Sequence, residues 1–190
     1  MRTVPEKILN KEETQFFITQ IKMLIKKLRE HHQKIPSSLV GTLGEFQVYK
    51  NILDKDSQAQ LLSGQSGADI KLTNCKRIEV KTATFNKNYK LWGFGKIRPN
   101  KFDYLICVAL DEELEPEFII FTKDEAIKLP TEEEATKGIT TRFKQSEIGI
   151  RTFHRFKPEH GIHQKSETLL KINSEIDRYR DWGKINRIGP

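Results

Sequence analysis

The segment Phe102-Asp-Tyr-Leu-Ile-Cys-Val-Ala-Leu110 is apolar almost without interruption, and it constrains the fold more than any other stretch of the chain. It is far shorter than the roughly 20 apolar residues needed to span a bilayer. It reads instead as a strand buried on both faces, the position of a central strand in a covered sheet. Such a sheet needs layers on each side, and the flanking segments are expected to supply them. Residues 12–32 read as a helix with Phe17, Ile21, Leu24 and Leu28 on one stripe and Lys22, Lys26 and Lys27 on a solvated face. Pro36 closes that helix, and Ser37-Ser38 offers caps for a second, from about Leu39 to Leu53, with Phe46, Tyr49 and Leu53 on one face. Beyond the central run, Glu117–Thr122 reads as a strand and Asp124–Leu129 as a short helix. Ser166–Arg180 returns to helix, with Leu169, Ile172, Ile176 and Tyr179 on one stripe. Residues 130–164 give no clear pattern, and Asn86–Asn100, rich in Asn, Lys, Gly and aromatics, reads as a loop. The expected class is α/β: a central mixed β-sheet flanked by helices, with helical additions at both ends.

A chain of 190 residues is most economically one domain. Its 36% hydrophobic and 31% charged content is that of a globular protein rather than a disordered one. The start, Met-Arg-Thr-Val-Pro-Glu-Lys, lacks the apolar core of a secretory signal, and no membrane association is expected. Cys75 and Cys107 form no CxxC pair, so neither a disulfide framework nor a cysteine zinc site is expected, and a reducing cytoplasm fits. The net charge of +7 is unevenly spread. Between Lys71 and Lys101, nine basic residues (Lys71, Lys76, Arg77, Lys81, Lys87, Lys90, Lys96, Arg98 and Lys101) accompany one acid, Glu79. That local excess is larger than the whole chain's, and it points to a polyanionic partner.

The same region contains Gly67-Ala-Asp-Ile-Lys-Leu-Thr-Asn-Cys-Lys-Arg-Ile-Glu-Val-Lys81, which reads as two strands over about 68–73 and 77–83, after a short strand at Gln60–Ser63. Strand alternation turns Glu79 and Lys81 one way and Ile78 and Val80 the other. If the strands pair, Asp69 joins Glu79 and Lys81 on the polar side. Two carboxylates and an amine so arranged suit a hard divalent cation and a water molecule, and hence metal-assisted attack on a phosphate.

The succession Gly44-Glu45, Gly67-Ala-Asp69, Glu79-Val-Lys81 resembles the PD-(D/E)XK nuclease superfamily, which includes many restriction endonucleases. The resemblance covers roughly residues 41–122 and leaves out the terminal helices. Ala68 stands where the family's name has proline, at a position that carries no ligand group. The resemblance implies a restriction-endonuclease-like catalytic core at 37–130, an N-terminal helical extension at 1–36 and a mixed or helical region at 131–190. It implies that Asp69 and Glu79, with the carbonyl of Val80, ligate Mg²⁺, for which Mn²⁺ substitutes. Lys81 would orient or help deprotonate the attacking water. Glu45 matches the accessory acid, holding a second metal or a metal-bound water. The implied reaction is hydrolysis of DNA phosphodiesters to a 5′-phosphate and a 3′-hydroxyl. Within the superfamily, the size fits a stand-alone, site-specific type II restriction enzyme. Such an enzyme would act on double-stranded DNA as a homodimer, alongside a cognate DNA methyltransferase. The alternatives are a repair, recombination or homing nuclease on the same core, or a non-catalytic nucleic-acid-binding subunit in which Glu79 and Lys81 form a surface ion pair.

Residues Tyr89–Arg98 interleave aromatics, cations and glycines. Lys87, Lys90, Lys96, Arg98 and Lys101 are expected on DNA phosphates or base edges, with Trp92 wedged or stacked against bases. The competing role for Trp92 and Phe94 is to anchor this segment to the core. His154, His160 and His163, beside Arg155 and Lys157, read as a surface or DNA-facing cluster rather than a zinc site.

Overall fold

A computed structural model describes residues 9–62, 68–85, 91–97, 101–128, 132–134, 138–144, 152–154 and 179–186. Helix α1 (Lys11–Glu30) begins at a reciprocal cap: Asn10 Oδ1 accepts from Glu13 N–H at 2.9 Å, and Glu13 Oε2 accepts from Asn10 N–H at 3.0 Å. Helix α2 (Ser37–Leu53) follows Pro36, which occupies the N-cap position without a side-chain hydrogen bond, so Ser37 and Ser38 lie inside the helix rather than capping it. The strands are β1 (Gln60–Leu61), β2 (Ile70–Lys71), β3 (Arg77–Thr84), β4 (Leu91–Ile97), β5 (Tyr104–Leu110), β6 (Pro116–Thr122), β7 (Glu132–Glu134), β8 (Gly138–Lys144) and β9 (Thr152–His154). Helix α3 (Lys123–Lys128) follows β6, and a short α4 (Gly183–Asn186) lies near the C-terminus.

The main sheet is mixed, in the order β1-β2-β3-β5-β6. β1, β2 and β3 are antiparallel neighbours, β3 and β5 run parallel from Ile78↔Tyr104 to Thr84↔Leu110, and β6 returns antiparallel to β5. β5 is buried along its entire length, as the opening segment requires. Tyr104, Ile106, Val108 and Leu110 pack with Ile78 and Val80 against the two N-terminal helices. Leu105, Cys107 and Ala109 pack on the other face with Ala83, Trp92, Phe94 and Ile97. The chain is therefore layered, helices on one face and β4 with its partners on the other.

Several expectations change at this level. The segment 91–97 is a strand rather than a loop, paired antiparallel with β8. Its alternation of Trp92 and Phe94 is masked in the sequence by Gly93 and Gly95, and a register shift between Phe94 and Ile97 turns Ile97 inward too. The region after residue 130 contributes β7, β8 and β9 to this second sheet, where no pattern was expected. The expected helix at 166–180 lies outside the described residues except for its end at Tyr179–Arg180.

The apolar stripe of α1 is rotated from its expected position. Thr14, Ile18 and Ile25 are buried, while Phe17 and Leu24 are 37% and 48% exposed. Packing of Ile18 and Ile25 into the core fixes this rotation, and the basic face, with Lys26 and Lys27 exposed, borders the acidic β5–β6 turn. Lys22 Nζ meets Glu115 at 2.8 Å, Lys26 Nζ lies 3.6 Å from Glu113, and Arg29 Nη1 donates to Glu112 O at 2.5 Å. Helix α2 lies between α1 and the sheet, so its buried set (Leu43, Val48, Tyr49, Ile52) is broader than the expected Phe46, Tyr49 and Leu53 face.

Candidate active site

The β2–β3 ladder stops at Ile70↔Ile78, and the chain then turns Asp69 into the gap. The Asp69 N–H donates to Ile78 O at 2.9 Å, and the Asp69 carboxylate accepts from Val80 N–H at 2.6 Å. A side chain thus satisfies a donor of β3 that the short partner strand leaves behind. N–H and C=O of one strand residue point to the same edge, so the Val80 carbonyl faces the side on which Asp69 sits.

Glu79 and Lys81 project from the opposite face of β3 to Ile78 and Val80, as alternation requires. Their side chains are 12% and 24% exposed and form an ion pair, the Lys81 ammonium donating to Glu79 Oε1. Lys81 is registered against Cys107 of β5. Burial pushes the Cys107 thiol far above its ordinary range despite the nearby ammonium, so this cysteine is a packing residue and no nucleophile.

Glu45 is brought to the same place by α2, and Gly44 is what lets it come so close. A Cβ at Gly44 would lie 2.8 Å from both Cβ and Cγ2 of Thr82 on β3, and closer still to its hydroxyl. Only a residue without a side chain allows this helix–strand approach. The half-buried Glu45 carboxyl has its pKa raised from an ordinary 4.5 to about 7. Burial is the main cause, followed by the negative charge of Asp69; Lys81 opposes the rise and Glu79 adds to it. Asp69 is also raised by burial, against the Val80 N–H and the Lys81 ammonium, which both lower it. Glu45, Asp69, Glu79 and Lys81 therefore lie close enough for their charges to act on one another.

Three carboxyls around one ammonium leave an excess of negative potential. Among the described residues, no group of three or more His, Cys, Asp or Glu side chains is gathered tightly enough to hold a metal ion unaided. The donor set nonetheless fits Mg²⁺, which commonly takes only one or two carboxylates and keeps several waters. Asp69, Glu79 and the Val80 carbonyl are the donors that could hold it; burial raises both Asp69 and Glu45, and repulsion from Asp69 and Glu79 adds to the rise at Glu45, a load that a bound cation would relieve.

The DNA-contact expectations fare differently. Trp92 does not reach toward nucleic acid. It is 2% exposed, and its Nε1–H donates to Leu110 O at 2.7 Å, making it part of the core between β4 and the main sheet. Phe94 is buried beside it. Lys101 is exposed at the approach to β5, and Lys96 belongs to β4. Lys87, Lys90 and Arg98 lie outside the described residues. His154 belongs to β9, whereas His160 and His163 also lie outside them. Sequence reasoning missed the part played by Gly44 and Thr82 in seating Glu45; a glycine next to an acid in mid-helix was the available signal.

No family model matches the chain, and no curated protein matches it in sequence. No helix among the described residues is long and apolar enough to cross a membrane.

Proposed function

We propose that the protein is a Mg²⁺-dependent endodeoxyribonuclease that hydrolyses DNA phosphodiester bonds. The observation that carries this reading is the mutual electrostatic influence of Glu45, Asp69, Glu79 and Lys81, contributed by a helix, a hairpin and a strand that are separate in sequence. A bound Mg²⁺ would neutralise non-bridging phosphate oxygens and lower the pKa of water. Asp69, Glu79 and the Val80 carbonyl would hold it. Lys81 has three donors, of which Glu79 engages one. The others are free to orient a water and a phosphate oxygen for in-line attack. Glu45, with its pKa near neutrality, is suited to accept a proton from a neighbouring water.

The finer reading, a type II restriction endonuclease with a restriction-endonuclease-like core, acting as a cytoplasmic homodimer beside a cognate methyltransferase, rests on the motif resemblance. The alternative of a non-catalytic nucleic-acid-binding subunit draws on one observation, the direct Glu79–Lys81 ion pair. One experiment separates the two: nicking of plasmid DNA with Mg²⁺, Mn²⁺ or EDTA. Cleavage should require the divalent ion and be lost in Asp69→Ala, Glu79→Ala and Lys81→Ala, each still folded by circular dichroism. Full activity in any two of these variants would refute the assignment. Discrete fragments from phage DNA would then favour site-specific cutting.

A further inference from the structure

Lys71 and Arg77 stand directly opposite one another in the β2–β3 ladder. Alternation along β3 puts Arg77 on the same face as Glu79 and Lys81, and Lys71, its cross-strand partner, shares that face. Like charges in this position repel and destabilise a sheet. Neither side chain has an ion-pair partner among the described residues, and Arg77 is exposed. The neighbouring Lys76, by contrast, lies 3.5 Å from Asp103. The Arg77 backbone is fixed at both ends by that same aspartate. Its N–H donates to Asp103 Oδ2 at 2.9 Å, and its carbonyl accepts from Asp103 N–H at 2.9 Å. Exposed Lys101 lies two residues before Asp103, on the approach to β5. Two cations thus stand side by side on β2 and β3, next to the acidic row of Asp69 and Glu79, with Lys101 on the approach to β5. The offset between the rows is two strand residues, about 7 Å at 3.4 Å per residue, the scale of one nucleotide step.

We propose that Lys71 and Arg77 form a phosphate subsite, gripping the nucleic-acid backbone one step from the phosphate at Glu79 and Lys81. The register of this subsite rests on the nuclease reading, whereas its capture of a backbone phosphate does not. A phosphate between the two side chains removes their repulsion and accepts from the planar Arg fork and the Lys point charge together. Such a contact carries no base information; it sets the strand's position relative to the carboxylates. Lys71 and Arg77 are therefore positioning residues.

The test is a fluorescence-anisotropy titration of a labelled duplex oligonucleotide in EDTA at several salt concentrations, with wild type and the Lys71→Ala/Arg77→Ala double variant. The double variant should bind about tenfold more weakly, and its slope of log affinity against log salt should be shallower by about one. Its Tm without DNA should be unchanged or higher, because the repulsion is gone. Arg77→Lys alone should retain most of the slope. Lys34→Ala, exposed in the link between α1 and α2, should leave it unaltered. With Mg²⁺, the double variant should raise KM about tenfold and also lower kcat, because the strand is no longer held in register with the carboxylates. Equal affinity and equal slope in wild type and double variant, or no binding by wild type, would overturn the subsite. Absence of divalent-dependent cleavage by wild type would defeat the nuclease reading while leaving the binding comparison intact, so the two fail separately.

Discussion

Replacing Glu45 by glutamine isolates the electrostatic cost of the proposed site. The carboxyl titrates near pH 7 in the folded protein and near 4.5 when free of its surroundings. A group whose folded-state pKa is raised binds more protons in the folded chain than in the unfolded one between those values. Stability therefore falls as pH rises through that window and levels off above it. At about 1.4 kcal/mol per pH unit, the loss amounts to about 3 kcal/mol by pH 8. Glu45→Gln keeps the shape and removes the ionisation. In EDTA, the variant should match wild type at about pH 4.5 and exceed it by about 3 kcal/mol at pH 8, as measured by urea unfolding across the range. The difference between the two proteins is the relevant quantity, since carboxyls remote from the site titrate alike in both and only Asp69 and Glu79 feel the change at Glu45. Added Mg²⁺ should then stabilise wild type more at pH 8 than at pH 6, because the ionised Glu45 adds to the negative potential at the site. A gap between Glu45→Gln and wild type that stays constant with pH, or a variant less stable at pH 8, would refute the reasoning.

Gly44→Ala should cost about 1–3 kcal/mol by denaturant unfolding, because the new Cβ clashes with the Thr82 hydroxyl and lies 2.8 Å from its Cβ and Cγ2. Its activity should fall further than its stability explains, since the displaced α2 carries Glu45, and Thr82→Ala in the same chain should recover part of both. Asp69→Asn retains an acceptor for Val80 N–H, so its stability should stay close to wild type, whereas Asp69→Ala should lose about 1–3 kcal/mol; both should lack divalent-dependent cleavage. Trp92→Phe removes one of two donors to Leu110 O, which keeps the Phe85 N–H at 3.0 Å, and leaves space where the indole packed; it should lower stability by about 1–3 kcal/mol, with duplex affinity in anisotropy unchanged, because the indole is core and not a DNA contact.

Most of the main sheet was legible in the sequence, and the reasons are local. The apolar run at 102–110 has no comfortable place except between two layers, and it became the fully buried β5. Alternation around Glu79-Val-Lys81 placed the two charged side chains on the face away from Ile78 and Val80. Where glycine interrupted the period, the signal failed, and β4 with its buried Trp92 read as a loop. Likewise, helical periodicity named an apolar stripe on α1 but not its rotation, because the choice between Phe17 and Ile18 depended on the core that α2 and the sheet present to it.

The sequence by itself therefore named the candidate site side chains and the strand that lies at the centre, since both follow from residue type and period. Only the tertiary structure decided that these side chains meet. The β2–β3 ladder stops one residue short of Asp69, at Ile70, freeing its carboxylate to reach Val80 N–H. Gly44 lets α2 lie against Thr82, which carries Glu45 to carboxylates far away in sequence. The raised pKa of Glu45 is a property of that meeting, because burial and the Asp69 charge exist only once helix and sheet are packed.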